Sequence, residues 1–465
     1  MREISSQLDT LCRGHGLWAF PAGLLRAANA MSNDRARDQT NRRVMTMWSV
    51  SALGIGSMVG AGIFALFGQA ALVAGKDVYL SFLIGGTAAL LSGYSYAKLA
   101  ARYPAASGIL EYFNRAFPSR LASGALSLIY LLTLVVTITM VAKTFGAYAS
   151  RLFFAEDALP MISGAFASGI VVVLVIVNMI GANVVSRAEV TLVAIKLLIL
   201  VLLMLAGLPS MDPKMFTSGI SVAPTTLLAS VGLTFFAYAG YGMMANAAAD
   251  VRQPETTVPR AMFLAIGVVI VLYVGLAIVI LGNIPADELS RYADTAVAQA
   301  ARPLLGHSGF VIVSIGALLA SASAINATIF SALAISKGLA EQAQLPRLFA
   351  DAVWHDGTKG LLWTTAAILL AVNLLDLAAV ANTASVTFLI VYLAIFGAHW
   401  RLRRDAGGSP IVIICGLSLM GIVLVVFLFS LFERQPIAIV FMLVFVTGSA
   451  SVVWLMKRKS TGATS

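Results

Sequence analysis

The sequence predicts an all-α integral membrane protein of about twelve transmembrane helices. Of its 465 residues, 59% are hydrophobic and only 11% are charged, and the mean hydropathy is +0.91. Soluble domains carry about 25% charged residues, so this chain cannot cover itself with a water-facing surface. Continuously apolar runs of about 20 residues, long enough to cross a bilayer as helices, recur along the chain. Because these runs do not alternate polar and apolar residues, they favour helices over membrane-barrel strands.

Twelve apolar spans are predicted, numbered first to twelfth in chain order. Their predicted bounds are 48–74, 79–101, 120–150, 162–182, 187–208, 224–249, 260–283, 309–338, 360–375, 377–400, 410–432 and 436–456. The ninth and tenth spans are separated by a single charged residue, Asp376. This order predicts a tail (residues 1–47), a ten-span core (residues 48–400), and a last region (residues 401–465) with two additional spans and a short C-terminal tail.

The N-terminal tail does not look like a secretory signal. Its only apolar run, residues 17–25, is short and contains Pro21. Met31 then opens a polar stretch that is typical of a cytoplasmic tail. We therefore hypothesise that translation begins at Met31.

The positions of the basic residues predict the orientation. Cytoplasmic loops of membrane proteins are enriched in Lys and Arg. With both termini in the cytoplasm, the outer segments hold only six of the 31 basic residues, namely Lys76, Arg151, Lys214, Arg291, Arg302 and Arg434. Lys143 and Lys196 lie inside predicted spans, and the other basic residues lie in cytoplasmic segments. Because the charges sit at span ends, the net charge of +10 indicates this topology and not nucleic-acid binding.

Two spans are rich in glycine near their centres. The first contains Gly54, Gly56, Gly60 and Gly62, and the sixth contains Gly240 and Gly242. Such glycines serve close helix packing, but a dense cluster also permits a helix to unwind at mid-membrane. Interrupted helices at corresponding places in two halves are typical of a transporter binding site. Because the breaks lie five spans apart, we predict a five-plus-five inverted repeat over residues 48–208 and 224–400.

Broken helices can bind a zwitterion without charged side chains. The N-terminal end of a half-helix offers free N–H groups and a positive dipole end to a carboxylate. The C-terminal end of a half-helix offers free carbonyls to an ammonium group. Because no acidic residue lies well inside any predicted span, the sequence favours a zwitterion over a polycation as substrate.

Three segments resemble the amino acid–polyamine–organocation superfamily, and within it the bacterial amino acid permeases. Gly56–Phe64 (GSMVGAGIF) is similar to the unwound first helix of that family, Phe235–Ala261 to its sixth helix and following loop, and Ser323–Pro346 to its eighth helix and following loop. The resemblance covers about residues 45–400 and implies a leucine-transporter-like fold, with helices one and six broken at the substrate site. One departure is Ala249, since the family often has an acidic residue before the equivalent of Asp250.

The resemblance also implies which residues bind substrate. Backbone N–H groups at the first break would bind the substrate carboxylate, and carbonyls at the second break would bind its amino group. The residues concerned are Gly60, Ala61 and Gly62 for the carboxylate, and Phe236, Ala237 and Ala239 for the amino group. Tyr241, just past the second break, is either a pocket or gate residue or a packed aromatic.

Two lysines lie inside predicted spans. Lys196 sits near the middle of the fifth span, and an ionisable residue at this depth is a candidate functional residue. It matches a lysine that many proton-coupled and exchanger members of the family carry where sodium-coupled relatives bind a cation. The resemblance thus implies that Lys196 couples transport, with Ser321 and Ser323 as contacts on the eighth span. Lys143 lies about two turns from the outer end of the third span, where it either snorkels to the interface or faces the outer vestibule.

The expected function is secondary active transport of amino acids across the inner membrane of a bacterium, by alternating access and with proton symport. The expected partners are a small-molecule amino acid, protons and the lipid bilayer, with no nucleic acid, cofactor or metal. An amino acid exchanger and a polyamine, organic-amine or potassium carrier on the same fold are alternatives, and a non-transporting receptor is a remoter one. An enzyme is not expected, because the chain lacks paired intramembrane carboxylates, a metal-ligand cluster and the GxxxxGK[ST] motif.

Overall fold

The computed structural model describes residues 45–105, 108–154, 160–180, 186–217, 221–285, 289, 291–354 and 357–434, together with residues 448 and 451. The chain forms two units, residues 1–45 and 46–465, and every element given below belongs to the second unit. Among the described residues, nine helical stretches are long and apolar enough to cross a membrane. The predicted all-α membrane fold is confirmed.

Eleven of the twelve predicted spans have helical counterparts in the described part of the chain. Eight of these are single helices: Val78–Arg102 (second), Arg120–Phe154 (third), Pro160–Ile180 (fourth), Ser186–Gly207 (fifth), Pro254–Leu281 (seventh), Lys359–Leu374 (ninth), Leu377–Ala406 (tenth) and Pro410–Arg434 (eleventh). The predicted twelfth span lies outside the described residues.

Three spans are interrupted. The first span consists of two helices, Met47–Ala61 and Ile63–Ala74. The sixth span consists of the helix Pro224–Tyr238, the 3-10 turn Ala239–Gly242, the short helix Met243–Asn246 and the 3-10 turn Ala247–Asp250. The eighth span is the helix Ala301–Glu341, which contains a kink. The kink is at Gly306, where φ is +66°, a value that glycine adopts readily. The segment after Gly306 is the part that matches the predicted eighth span.

Local signals mark where several spans begin. The side chain of Asp376 accepts a hydrogen bond from the N–H of Ala379 at 2.6 Å. The charged residue between the ninth and tenth spans is therefore the N-cap of the tenth. Pro224 and Pro254 stand at the first positions of the sixth and seventh spans, where a missing N–H leaves no hydrogen bond unmade.

Shorter elements connect the spans. The described ones are the helices Ile109–Ala116, Lys214–Thr217 and Ala296–Gln299, the 3-10 turns Gly75–Asp77, Leu208–Ser210, Ala293–Thr295 and Arg347–Phe349, and the antiparallel strands Ala352–Trp354 and Gly357–Thr358. The helix Ile109–Ala116 follows the second span and buries one apolar face that includes Ile109 and Phe113. The turn Ala293–Thr295 and the helix Ala296–Gln299 lie in the loop between the seventh and eighth spans.

The broken spans lie at the centre of the helix bundle. Met47–Ala61 packs against the fifth, seventh and eighth spans, and Ile63–Ala74 packs against the first half of the sixth. The third span packs against the fourth, eighth and tenth, and the seventh lies along the second. The fourth, fifth and eleventh spans carry exposed apolar side chains, among them Val173, Leu198 and Val425. These outer spans present the kind of surface that lipid solvates, while most residues of the first and sixth spans are buried by protein.

Candidate functional site

The first and sixth spans are interrupted where their glycines lie. Gly62 has backbone angles of φ −78° and ψ −82°, outside the helical range, and separates the two halves of the first span. In the sixth span the α-helix ends at Tyr238 and continues as the 3-10 turn Ala239–Gly242. A 3-10 turn inside a helix is often a functional hinge.

The two interruptions touch through their backbones. A methyl group on Gly62 would collide with the backbone oxygen of Ala237, and one on Gly240 would lie 2.6 Å from the backbone nitrogen of Met58 and 2.8 Å from the backbone oxygen of Ser57. Only glycine allows backbones to approach this closely. The first and sixth spans therefore cross at their broken segments.

A cavity lies beside this crossing. Its empty space is about 490 Å³, a volume that includes open solvent at its mouth. The walls come from the first, third, sixth, eighth and tenth spans. The lining residues are Ser57, Tyr130, Leu134, Thr137, Phe236, Ala237, Ala239, Gly240, Met243, Ala324, Ala327, Thr328 and Phe388.

Three of the predicted substrate residues line the cavity, namely Phe236, Ala237 and Ala239. The predicted carboxylate-binding residues lie in the first span at its break. Gly60 packs against Ala324 of the eighth span, where an added methyl group would lie 2.6 Å from the Ala324 side chain. Ala61 ends the first half of the span, and Gly62 follows as the break. Among the described lining residues, neither Gly60 nor Gly62 appears.

Tyr241 does not line the cavity. Its ring is fully buried, and its hydroxyl forms a short hydrogen bond with the hydroxyl of Ser92 on the second span. The ring packs edge-on against Tyr96 and Tyr392, with centroid distances of 5.8 and 5.4 Å. In this conformation Tyr241 is a packed aromatic behind the sixth-span turn.

Several backbone groups at the breaks already have partners. The N–H of Gly62 donates to the carbonyl of Met58 at 3.0 Å, and the Tyr273 hydroxyl donates to the same carbonyl at 2.7 Å. The Tyr392 hydroxyl donates to the carbonyl of Ala239 at 2.6 Å. Tyrosine hydroxyls from the seventh and tenth spans thus already donate to carbonyls at the two breaks.

Lys196 is fully buried in contact with the first and eighth spans. Its Nζ donates to the carbonyl of Gly56 at 2.7 Å and to Oγ of Ser323 at 3.4 Å. Oγ of Ser321 is buried without a hydrogen-bond partner among the described residues, so it does not bond to Lys196. Gly56 immediately precedes Ser57, which lines the cavity. Lys196 therefore reaches the first span one residue away from the cavity wall.

Lys143 lies elsewhere, on the third span. Its Nζ donates to the carbonyl of Val372 at 2.9 Å, near the C-terminal end of the ninth span. The free carbonyls and negative dipole end of a helix attract such a cation. The contact with Val372 ties the third span to the ninth.

A polar cluster joins the loop between the seventh and eighth spans to the first span. Nε2 of Gln69, on the second half of the first span, donates to Oδ1 of Asp294 at 2.9 Å. Burial raises the pKa of the Asp294 carboxyl above its ordinary value, although the positive charges of Arg151 and Lys143 oppose this change. The negative charge of Asp376 acts in the same direction as burial. Asp294 is thus a half-buried carboxyl at a loop-to-helix contact.

Apart from Gly240, sequence reasoning did not identify the other cavity residues or the two tyrosines that donate to carbonyls at the breaks. Tyr130, Leu134 and Thr137 belong to one face of a long apolar span and carry no local signature. Tyr273 and Tyr392 meet their partners across 215 and 153 residues of sequence. Only the fold brings these groups together.

Two crossing broken helices, a central cavity and a buried lysine define a multi-pass membrane transporter. The chain belongs to the amino acid permease family, which matches residues 45–456. The inner membrane transport protein YbaT of Escherichia coli is 44% identical over 415 residues, which cover 89% of this chain and 96% of that protein. An uncharacterized protein of Methanocaldococcus jannaschii is 33% identical over 396 residues, covering 83% and 89%. The serine/threonine exchanger SteT of Bacillus subtilis is 26% identical over 309 residues, covering 65% and 69%.

These similarities confirm the predicted resemblance to the amino acid permeases. Family membership and the names of the relatives indicate a transporter rather than an enzyme. The E. coli relative is named as an inner membrane protein, which is in keeping with the predicted bacterial inner membrane.

Proposed function

We propose that the protein is a secondary active transporter of amino acids, coupled to proton symport, with Lys196 as the coupling residue. Membership of the amino acid permease family supports the substrate class. The observation that carries the coupling is the fully buried ammonium group of Lys196, which holds the Gly56 carbonyl at 2.7 Å and contacts Ser323 at 3.4 Å.

Lys196 connects the broken first span to the eighth span. As an ammonium group it donates to a first-span carbonyl and carries a charge that a bound cation would otherwise supply. Loss of its proton removes the charge and one donor, and so weakens the connection between the two spans. Proton binding can thereby bias the position of the first span, which is the element that alternating access has to move.

In the proposed mechanism, the substrate binds to the two breaks. Its carboxylate would be held by N–H groups of Gly60, Ala61 and Gly62, and its ammonium group by carbonyls among Phe236, Ala237 and Ala239. The N–H of Gly62 and the carbonyl of Ala239 have intramolecular partners in the present conformation. Substrate binding therefore exchanges these internal hydrogen bonds for bonds to the zwitterion, and so favours a different conformation of the breaks.

We further propose that the protein lies in the cytoplasmic membrane with both termini in the cytoplasm. The support is the small number of basic residues in the predicted outer segments. A fluorescent or enzymatic reporter that is active only in the cytoplasm, fused to the C-terminus after Ser465, should be active. A reporter active only outside the cytoplasm, fused at the same point, should be silent.

Exchange of amino acids is a second candidate. One relative is named as a serine/threonine exchanger. A buried lysine that stays protonated would support exchange equally well, because substrate alone then permits the conformational change. The experiment must therefore separate net accumulation from exchange.

The test is uptake of radiolabelled amino acids into proteoliposomes that contain the purified full-length protein. Gradient-driven accumulation is measured with acidic external pH and neutral internal pH, and exchange is measured with unlabelled amino acid trapped inside. We compare wild type with Lys196→Met, which keeps an unbranched side chain of similar length but removes the charge. Lys143→Met, which changes the lysine on the third span, is the matched control.

We expect Lys196→Met to lose gradient-driven accumulation while it retains exchange, and Lys143→Met to keep both. Accumulation by Lys196→Met at the wild-type level would show that the coupling role is wrong. Wild-type uptake that needs internal amino acid would favour the exchanger. No uptake of any amino acid would refute the substrate class, and organic amines, polyamines and potassium would then be tested.

A further inference from the structure

The walls of the central cavity are uncharged. Among the described residues that line it, there is no Asp, Glu, Lys, Arg or His. Transfer of an ionised group from water to a site without a counter-charge is strongly unfavourable. A substrate side chain that enters this cavity therefore has no protein group to neutralise a charge of its own.

Most of the hydroxyl groups on the cavity wall already donate their protons to groups of the protein. Oγ1 of Thr137 donates to the carbonyl of Thr133 at 2.8 Å, and Oγ1 of Thr328 donates to the carbonyl of Ala324 at 2.7 Å. A hydroxyl has a single proton, so each of these oxygens can only accept a further hydrogen bond. Such a wall tolerates an apolar side chain and can accept a hydrogen bond from a substrate hydroxyl. With Tyr130 as a neutral donor, it offers a carboxylate no positive charge.

One side of the cavity is aromatic and apolar. The rings of Phe236 and Phe388 lie with their centroids 4.9 Å apart and both line the cavity. Met243 adds a polarizable sulfur atom, to which the hydroxyl of Ser57 is directed at 3.4 Å. These groups gain contact energy from apolar side chains without requiring a charge.

The nearest buried cation, Lys196, does not change this conclusion. Its Nζ donates to Gly56 and Ser323, and Lys196 is absent from the cavity lining. Its positive charge disfavours a cationic side chain nearby. An acidic side chain inside the cavity would not face this ammonium group, because Lys196 does not line the cavity.

We propose that the transported amino acid carries an electrically neutral side chain, either aliphatic or bearing a hydroxyl or thioether group. This inference rests on the proposed function, because it concerns the side chain of a substrate whose carboxylate and amino groups are held at the two breaks. It excludes lysine, arginine, aspartate and glutamate as preferred substrates.

The test is a competition series on the purified full-length protein in proteoliposomes. Exchange of a radiolabelled neutral amino acid is challenged with alanine, serine, leucine and methionine, and in parallel with lysine, arginine, aspartate and glutamate. We expect the neutral group to compete about tenfold or more better than the charged group. Equal or better competition by any charged amino acid would overturn the inference and leave the proposed function standing. Failure of every amino acid, neutral or charged, to be transported would overturn both.

A pair of variants tests the physical reason. Leu134 lines the cavity from the third span. Leu134→Glu introduces a carboxylate, and Leu134→Gln has the same shape without the charge. We expect the ratio of lysine uptake to leucine uptake to be about tenfold higher in Leu134→Glu than in Leu134→Gln. The reason is that the new carboxylate neutralises the side-chain ammonium group of the lysine substrate. An equal ratio in the two folded variants would contradict the role of the uncharged wall. The wild-type competition series needs no variant, so it decides the proposal even if Leu134→Glu does not fold.

Discussion

A methyl group placed on Gly240 should force the two broken spans apart. The new Cβ would lie 2.6 Å from the nitrogen of Met58 and 2.8 Å from the oxygen of Ser57. Ordinary van der Waals contact begins at 3.4 Å, so the first and sixth spans would have to separate by about 0.8 Å. The three nearest atoms all belong to the backbone, so no side-chain rotation can relieve the collision.

The cost follows from the rigidity of the crossing. Overpacking of a tightly packed site costs about 1–3 kcal/mol, and the absence of a side chain that could move places Gly240→Ala toward the upper end of that range. A free-energy change of this size corresponds to about a 5- to 150-fold change in affinity if it falls on the substrate-bound state. We therefore expect a lower melting temperature and a higher apparent KM for amino acid uptake.

The assay is thermal denaturation of the purified protein in detergent, followed by uptake measurements in proteoliposomes. Gly267→Ala is the matched control, because its new methyl group would have no atom within 4 Å and because alanine favours a helix over glycine. The control should be as stable as wild type or more stable. A Gly240→Ala protein with wild-type melting temperature and KM would refute the close backbone crossing.

Two further predictions concern polar contacts of the fold. Tyr392→Phe keeps the ring but removes a buried hydrogen bond to the Ala239 carbonyl, at a cost of about 1 kcal/mol, so its melting temperature should fall. An unchanged melting temperature would contradict this. Burial raises the pKa of Asp294, so the carboxyl binds a proton more readily when its loop is in contact with the first span than when the loop is released. This contact should therefore weaken as pH rises above the ordinary carboxyl range. The ratio of labelling of Ala293→Cys to labelling of Arg291→Cys by an impermeant maleimide should therefore increase with pH. When Asp294→Asn is added, this ratio should no longer depend on pH. An equal pH dependence with and without Asp294→Asn would show that this carboxyl does not control the contact.

The spans and their breaks could be predicted from the sequence because both depend on local composition. Lipid requires a continuous apolar run for each crossing, so the run lengths alone placed eleven spans that the structure describes as helices. Clustered glycines predicted the breaks, and Gly62 and Gly240 lie at the interruptions. The kink at Gly306 was not predicted, since an isolated glycine outside a cluster carries no comparable signal.

The cavity and its partners could not be predicted from local composition. Thr137 and Phe388 line the same space although about half the chain lies between them, and neither stands in a distinctive motif. Tyr392 caps a carbonyl on a span that precedes it by 153 residues. In a membrane, small polar and aromatic side chains occur throughout helix interfaces, so their types alone do not distinguish a site residue from a packing residue.

The break at Gly62 allows two titratable groups to act on separate halves of one span. Lys196 contacts Met47–Ala61 through the Gly56 carbonyl, and Asp294 contacts Ile63–Ala74 through Gln69. The two contacts lie on opposite sides of Gly62, whose backbone angles depart from the helical range. Alternating access requires one side of the site to open while the other stays closed. If Lys196 couples transport as proposed, its protonation acts on the half of the span before the break, whereas protonation of Asp294 acts on the half after it.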